Sequence, residues 1–159
     1  MHLGPRMQPV AVEWPALCFS KQNVLFMPEE RGMTTCTKAA LKKGNWFDGL
    51  GIVDRGGREF LVKRATLLHG VGPFWGYNLL FGRVVRVALE YELVRDTVPL
   101  AEVKSRIYAS FRAWHGWAAG GDLGEVRLAV KKASCLDDLM KIIGDAGGTV
   151  HVPPKWLSR

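Results

Sequence analysis

Apolar and polar side chains alternate most regularly between Arg83 and Val94. Every second residue in this stretch is apolar or aromatic, and polar or small residues lie between them: Val85, Val87, Leu89, Tyr91 and Leu93. A period of two places the two sets on opposite faces of a strand. The pattern predicts one strand with a buried and a wetter face, as is typical of an antiparallel sheet.

Two further apolar runs, residues 46–53 and 59–68, flank the polar segment 54–58 and predict a hairpin. Glycine adopts positive φ without steric cost, so the Gly56–Gly57 pair suits its turn. Gly49 and Gly51 lie two apart and leave one face bare, so either another element packs closely there or the strand bends. With a shorter run at residues 23–27, these patterns predict a curled antiparallel sheet of three to four strands over residues ~23–94.

After residue 98 the spacing of apolar residues changes to that of a helix. One apolar stripe at helical spacing predicts a helix: Leu100, Val103, Ile107, Tyr108, Phe111 and Trp114. The pairs Asp122–Glu125 and Ser134–Asp137 resemble capping boxes that open two more helices. A short helix is also predicted over residues 35–43. Strands followed by helices indicate an α+β fold, in which C-terminal helices (~99–144) cover the sheet through the stripe.

The predicted organisation is a single α+β domain at residues 23–146. Residues 1–22 contain three prolines and little periodicity, so they are predicted to be an irregular N-terminal arm. Residues 147–159 include Pro153–Pro154 and are predicted to be an extended tail. A chain of 159 residues can bury a sizeable core without disulfides or metals.

The three cysteines, Cys18, Cys36 and Cys135, lie far apart. An odd number without paired spacing fits neither a disulfide framework nor a zinc site, so buried thiols in a reducing compartment are expected. No apolar run approaches the roughly 20 residues that span a bilayer. We therefore expect a cytoplasmic protein that contacts no membrane and binds no metal or cofactor.

The formal net charge of +7 is unevenly distributed. Residues 31–70 contain eight basic and three acidic side chains, which favours an acidic partner. The sequence contains no RNA-recognition, zinc-finger or helix-turn-helix signature. An acidic protein is therefore the preferred partner, and nucleic acid bound by the basic hairpin is the alternative.

Three groups are candidates for chemistry, and each has a plainer interpretation that we favour. Cys36 would be reactive at a helix N-terminus, but cysteines are usually buried. His69 begins a glycine-rich loop and could act as an acid or base, or could be a hydrogen-bonded loop residue. Glu90 and Glu92 share one strand face, where ion pairs with Lys63 or Arg64 across the sheet would explain them.

The leading hypothesis is therefore a non-catalytic binding protein, of which an inhibitor or immunity-type protein is one example by class analogy. The loop at residues 70–77 supplies aromatic side chains that are either anchors for a partner or a lid on the core. A small enzyme with an acid–base site near His69 is a further alternative. The predicted partner-binding residues are Arg55, Arg58, Lys63, His69, Phe74, Trp75 and Tyr77.

Overall fold

A computed structural model of the protein describes residues 10–20, 23–43, 47, 49–70, 77–78, 82–113 and 122–148. Its strands are β1 (Ala16–Phe19), β2 (Val24–Met27), β3 (Thr35–Thr37), β4 (Gly51–Asp54), β5 (Glu59–Gly70), β6 (Tyr77–Asn78) and β7 (Gly82–Arg95). The sheet is antiparallel, with the order β2-β1-β4-β5-β7-β3, and β6 pairs with β7. The predicted α+β fold with a curled antiparallel sheet is confirmed, but the count of three to four strands is wrong, because six strands form the continuous order.

The short strands β1 and β3 account for the difference. β1 lies within the segment interpreted as an irregular arm, and β3 occupies the first residues of a predicted helix. Ala16, Leu17 and Cys18 are all buried, so β1 has no polar alternation that would reveal it. Strands of three or four residues are defined by the partners they pair with, and those partners are distant in sequence.

The helices are α1 (Arg31–Thr34), α2 (Lys38–Lys43), α3 (Leu100–Ala113), α4 (Leu123–Lys132) and α5 (Leu136–Ile143), and a π-helical turn follows at Gly144–Gly148. Asp122 caps α4 by accepting a hydrogen bond from the Gly124 amide at 2.8 Å. At α5 the capping carboxylate is Asp138, which accepts from the Ser134 amide at 2.8 Å and from its hydroxyl at 3.0 Å. The capping carboxylate of α5 was predicted one residue too early, at Asp137.

Two apolar cores lie on opposite faces of the sheet. The helical core joins Leu17 and Val53 to α3, α4 and α5, and it contains the predicted stripe residues Val103, Ile107 and Phe111. The inner core is enclosed by the curl of the sheet, because side chains from β1, β4, β5 and β7 pack together there with Met33: Ala16, Cys18, Ile52, Phe60, Val62, Val85 and Val87. The buried face of β7 therefore belongs to the inner core, and α3 covers other strands.

Bulges change the register of β5 against β7. The register shifts between Val62 and Arg64 and again between Leu67 and His69. An extra residue reverses the alternation that follows it. Lys63 and Arg64 are consequently both exposed, although neighbours in a regular strand would point to opposite faces.

The cysteines lie in three different environments. Cys18 is buried, Cys36 is half-buried and Cys135 is exposed, so the expectation of buried thiols holds for Cys18 alone among them. Residues 149–159 of the predicted tail lie outside the described residues. In the part of the chain that the structure describes, no helix has the length and apolar character needed to cross a membrane.

Candidate functional site

The structure does not bring the predicted partner-binding residues into one cluster. Arg55 and Arg58 lie at the turn between β4 and β5, Lys63 lies within β5, and His69 lies near its far end. At about 3.3 Å per residue, the part of β5 between Arg58 and His69 spans roughly 35 Å. Tyr77 begins β6, whereas Phe74 and Trp75 lie outside the described residues. The turn and the far end of β5 are therefore separate surfaces.

Arg58 is engaged in holding the turn together. Its guanidinium lies 2.7 Å from the carboxylate of Asp54, a residue that is fully buried. The same carboxylate accepts the backbone amides of Arg58 at 2.9 Å and of Glu13 at 3.1 Å. Arg58 also donates to the Ala11 carbonyl at 3.0 Å and lies 5.4 Å from the ring centroid of Phe60. These contacts fasten residues 11–13 to the turn.

Arg55 borders a groove between the turn and α5. Its side chain is exposed and lies 3.8 Å from Asp137. The groove has a volume of about 480 Å³ and mixes both signs of charge with apolar surface: Pro15, Phe26, Arg55, Asp137, Met140, Lys141, Gly144 and Asp145. An opposite charge therefore already offsets part of the positive charge that Arg55 brings to the turn.

The candidates for chemistry have structural partners or are exposed. Cys36 lies in β3, and burial raises the pKa of its thiol above the ordinary value. His69 is exposed, and its Nδ1 lies 2.8 Å from the Gly70 carbonyl oxygen. Glu92 pairs with Lys63 at 2.5 Å and Glu90 with Arg64 at 4.0 Å, so the expected cross-strand ion pairs are present. The described residues contain no group of three or more metal-ligating side chains.

The far part of β5, residues 64–69, forms a surface that we call the distal β5 surface. Leu67 is 46% exposed and Leu68 is 54% exposed, which is unusual for adjacent leucines in a strand. Leu68 lies at the register shift between Leu67 and His69. The sequence does carry a signal for it, since two adjacent apolar residues in a one-sided strand cannot both face the core.

A groove also opens where the two glycines were predicted to leave a bare face. Gly49 has φ +70°, and nothing lies within 4 Å of the position that a Cβ would occupy. At Gly51 that position lies 3.9 Å from the Phe19 carbonyl oxygen. The groove has a volume of about 360 Å³ and is lined by Phe19, Ser20, Asn23, Gly49, Gly51, Glu59, Leu61, Arg106, Ala109 and Ser110.

Two carboxylates and two arginines form a closed network at this groove. Glu59 accepts hydrogen bonds from Arg95 at 2.7 Å and from Arg106 at 2.6 Å, and Glu102 accepts from both arginines at 2.6 Å. Burial raises the pKa of Glu59, but the hydrogen bonds from Arg106 and Arg95 outweigh it and leave the pKa below its ordinary value. Hydrogen bonds from Arg95 and Arg106 lower the pKa of Glu102 to about 2. Both carboxylates therefore stay ionised near neutral pH. Neither can act as a general acid there, because a general acid must carry a proton.

The network and the turn show where acidic side chains neutralise the basic ones. Each of six arginines lies within 4.0 Å of a carboxylate oxygen: Arg31, Arg55, Arg58, Arg64, Arg95 and Arg106. The hairpin that is richest in arginine along the sequence is therefore largely neutralised in space.

Comparisons with known proteins assign this chain to no family. No protein-family model, no curated protein and no solved structure matches the chain.

Proposed function

We propose that this chain is a non-catalytic binding protein whose partner is an acidic protein. The observation that carries the proposal is the distal β5 surface, where Leu67 and Leu68 are about half exposed beside each other. Adjacent exposed apolar side chains have an unfavourable free energy of solvation, which burial against a partner removes. The strand ends at Gly70, where the segment begins that the sequence predicts to be a loop with candidate aromatic anchors, residues 70–77.

Two basic side chains on the same strand as the leucines can also pair with carboxylates of an acidic partner. Lys63 and Arg64 are exposed on the same stretch of β5, and their ion pairs with Glu92 and Glu90 are exposed too. Exposed ion pairs contribute only about 0–1 kcal/mol, so a partner's carboxylates can compete for these cations. The chain's net charge of +7 would also accelerate the approach of an acidic protein.

The same surface is less suited to nucleic acid. Leucine side chains neither stack on bases as aromatic rings do nor donate hydrogen bonds to phosphates. Apolar anchors surrounded by charged residues are instead typical of protein interfaces. An inhibitor or immunity-type protein is the kind of binding protein that this surface would suit.

The test compares two sets of leucine variants. Leu67→Ser combined with Leu68→Ser removes the apolar anchors, and Leu128→Ser is the matched control because Leu128 is 51% exposed on α4. Partners are captured at low salt from lysate with and without nuclease treatment, identified by mass spectrometry and then titrated by calorimetry. We expect the double variant to weaken binding by about 30-fold or more and the control variant by less than about 2-fold.

Two outcomes would contradict the proposal. One is equal affinity of the double variant and the unaltered chain for the captured protein. The other is loss of all captured material on nuclease treatment, which would favour the nucleic-acid alternative. Circular dichroism and thermal unfolding of each variant separate a lost contact from a lost fold.

A further inference from the structure

A shallow groove between α3 and α4 has a different character from the surfaces described so far. It has a volume of about 400 Å³ and is lined by Ser105, Tyr108, Arg112 and Arg127. The three α3 residues are three and four positions apart, so they share one helix face. Each of these four side chains ends in a hydrogen-bond donor, and none of the lining residues that the structure describes carries a carboxylate.

The groove is held by the packing of the two helices. The Tyr108 ring packs against the helical core and meets Phe111 edge-on, with 6.3 Å between the ring centroids. Its hydroxyl oxygen lies 3.4 Å from the Arg127 carbonyl oxygen. The ammonium group of Lys104 donates to the carbonyls of Lys131 at 3.0 Å and Ala133 at 2.6 Å, which joins α3 to the C-terminal end of α4. The backbone that carries the donors is therefore fixed on both sides.

The two arginines of the groove stand apart from the six that are paired with carboxylates. Among the described residues, neither Arg112 nor Arg127 has a carboxylate oxygen within 4.0 Å. Glu102, one turn before Ser105 on α3, is already bound by Arg95 and Arg106. Lys131 is exposed four positions after Arg127 on α4, which adds a cation beside the groove.

We propose that this groove binds a phosphate monoester. A guanidinium presents a planar set of donors that matches the oxygens of a phosphate, and two guanidinium groups balance its double negative charge. The Ser105 hydroxyl supplies a further donor to the same group. The groove has a volume of about 400 Å³, which suits one phosphate with a small attached group better than a nucleic-acid backbone.

The inference goes beyond the proposed function and does not depend on it. The groove belongs to α3 and α4, whereas the distal β5 surface belongs to the end of β5. The two surfaces share no residue, and their variants are different. A failure of one proposal therefore leaves the other to be judged on its own data.

The experiment titrates the full chain with inorganic phosphate, with O-phosphoserine, with a phosphoserine peptide beside its unphosphorylated form, and with an oligonucleotide. Binding is followed by amide chemical shifts in NMR spectra. Arg112→Gln and Arg127→Gln are each expected to weaken phosphoserine binding by about 10-fold, because each removes charge-assisted hydrogen bonds. Lys132→Gln is the matched control, since it removes one exposed positive charge from α4 outside the groove, and it should change the affinity by less than about 2-fold.

The two monoester sources give different results. Tighter binding of the phosphopeptide than of O-phosphoserine assigns the site to a phosphorylated chain, and equal binding assigns it to a small molecule. The proposal is overturned if no phosphate compound binds at millimolar concentration. It is also overturned if Lys132→Gln weakens binding as much as the arginine variants do, or if an oligonucleotide binds more tightly than every monoester.

Discussion

At the scale of the residue, Asp54 shows how one buried charge organises the turn between β4 and β5. Its carboxylate accepts from the Arg58 guanidinium and from the backbone amides of Glu13 and Arg58. A buried carboxylate is stable only when charge and hydrogen bonds replace the water it has lost. Asp54 consequently requires Arg58, and Arg58 is less available to a partner than the sequence suggested.

Asp54→Ala is expected to lower the free energy of unfolding by about 3 kcal/mol, because the variant removes the acceptor that these three donors share. Asp137→Ala is the control: its carboxylate is exposed and lies 3.8 Å from Arg55, and its loss should cost less than about 0.5 kcal/mol. Urea unfolding followed by circular dichroism measures both. Equal effects of the two variants would contradict the importance given to burial.

The ion-pair partners of individual arginines could not be predicted from the sequence. The basic composition of residues 55–63 was visible, but composition does not show which carboxylate lies beside each cation. Glu13 is far from Arg58 in sequence, yet its carboxylate lies 3.2 Å from the guanidinium. Likewise, the position of Arg112 and Arg127 more than 4.0 Å from every carboxylate oxygen of the described residues depends on where α3 and α4 place their neighbours.

At the scale of the element, the hairpin turn depends on one glycine more than on the other. Gly57 has φ +80°, a conformation that residues with a Cβ rarely adopt. At Gly56 an added Cβ would lie 3.3 Å from the Glu13 Oε2, at the end of a side chain that can move. The two glycines cannot be distinguished from the sequence, but in the backbone Gly57 has a positive φ and Gly56 does not.

Gly57→Ala is therefore expected to destabilise the protein by about 1 kcal/mol, the usual cost of placing an L-residue in the left-handed region. Gly56→Ala should cost less than half of that. Thermal and urea unfolding of both variants give the comparison. If Gly56→Ala were the more destabilising of the two, the assignment of the strained position would be wrong.

Elements with a clear period were predictable, and elements defined by their partners were not. β7 and α3 have long apolar patterns that agree with the structure in type and extent. β1 and β3 are too short to show a period, and their register is set by β4, β2 and β7. The bulges of β5 also escaped prediction, because a bulge depends on the strand that lies opposite.

At the scale of the whole molecule, the network of Glu59, Glu102, Arg95 and Arg106 ties α3 to the sheet through β5 and β7. The pKa of each carboxylate is lowered in the folded state. In the window between the unfolded and folded pKa values, the unfolded chain binds more protons. Stability from these groups is therefore fully present above the unfolded pKa and is lost as the pH falls through the folded pKa.

We expect the free energy of unfolding to decrease as the pH falls from about 4.5, the ordinary pKa of a glutamate, towards about 2, the folded pKa of Glu102. Glu102→Gln should show a weaker dependence over this range, because residue 102 no longer titrates. Glu125→Gln, an exposed position on α4, should show the same slope as the unaltered chain. Urea unfolding at a series of pH values measures the slopes, and identical slopes for all three proteins would contradict the role of the network.

The two cores share the strands β1 and β4, and this arrangement limits how the protein can open. Leu17 and Val53 face the helical core, while Cys18 and Ile52, their neighbours in the same strands, face the inner core. Loss of one core would expose the back of the other, so a half-open form should be too scarce for a protease to cleave. Degradation by a protease would then require global unfolding. The distal β5 surface and the α3–α4 groove would be lost together, although they lie on different elements.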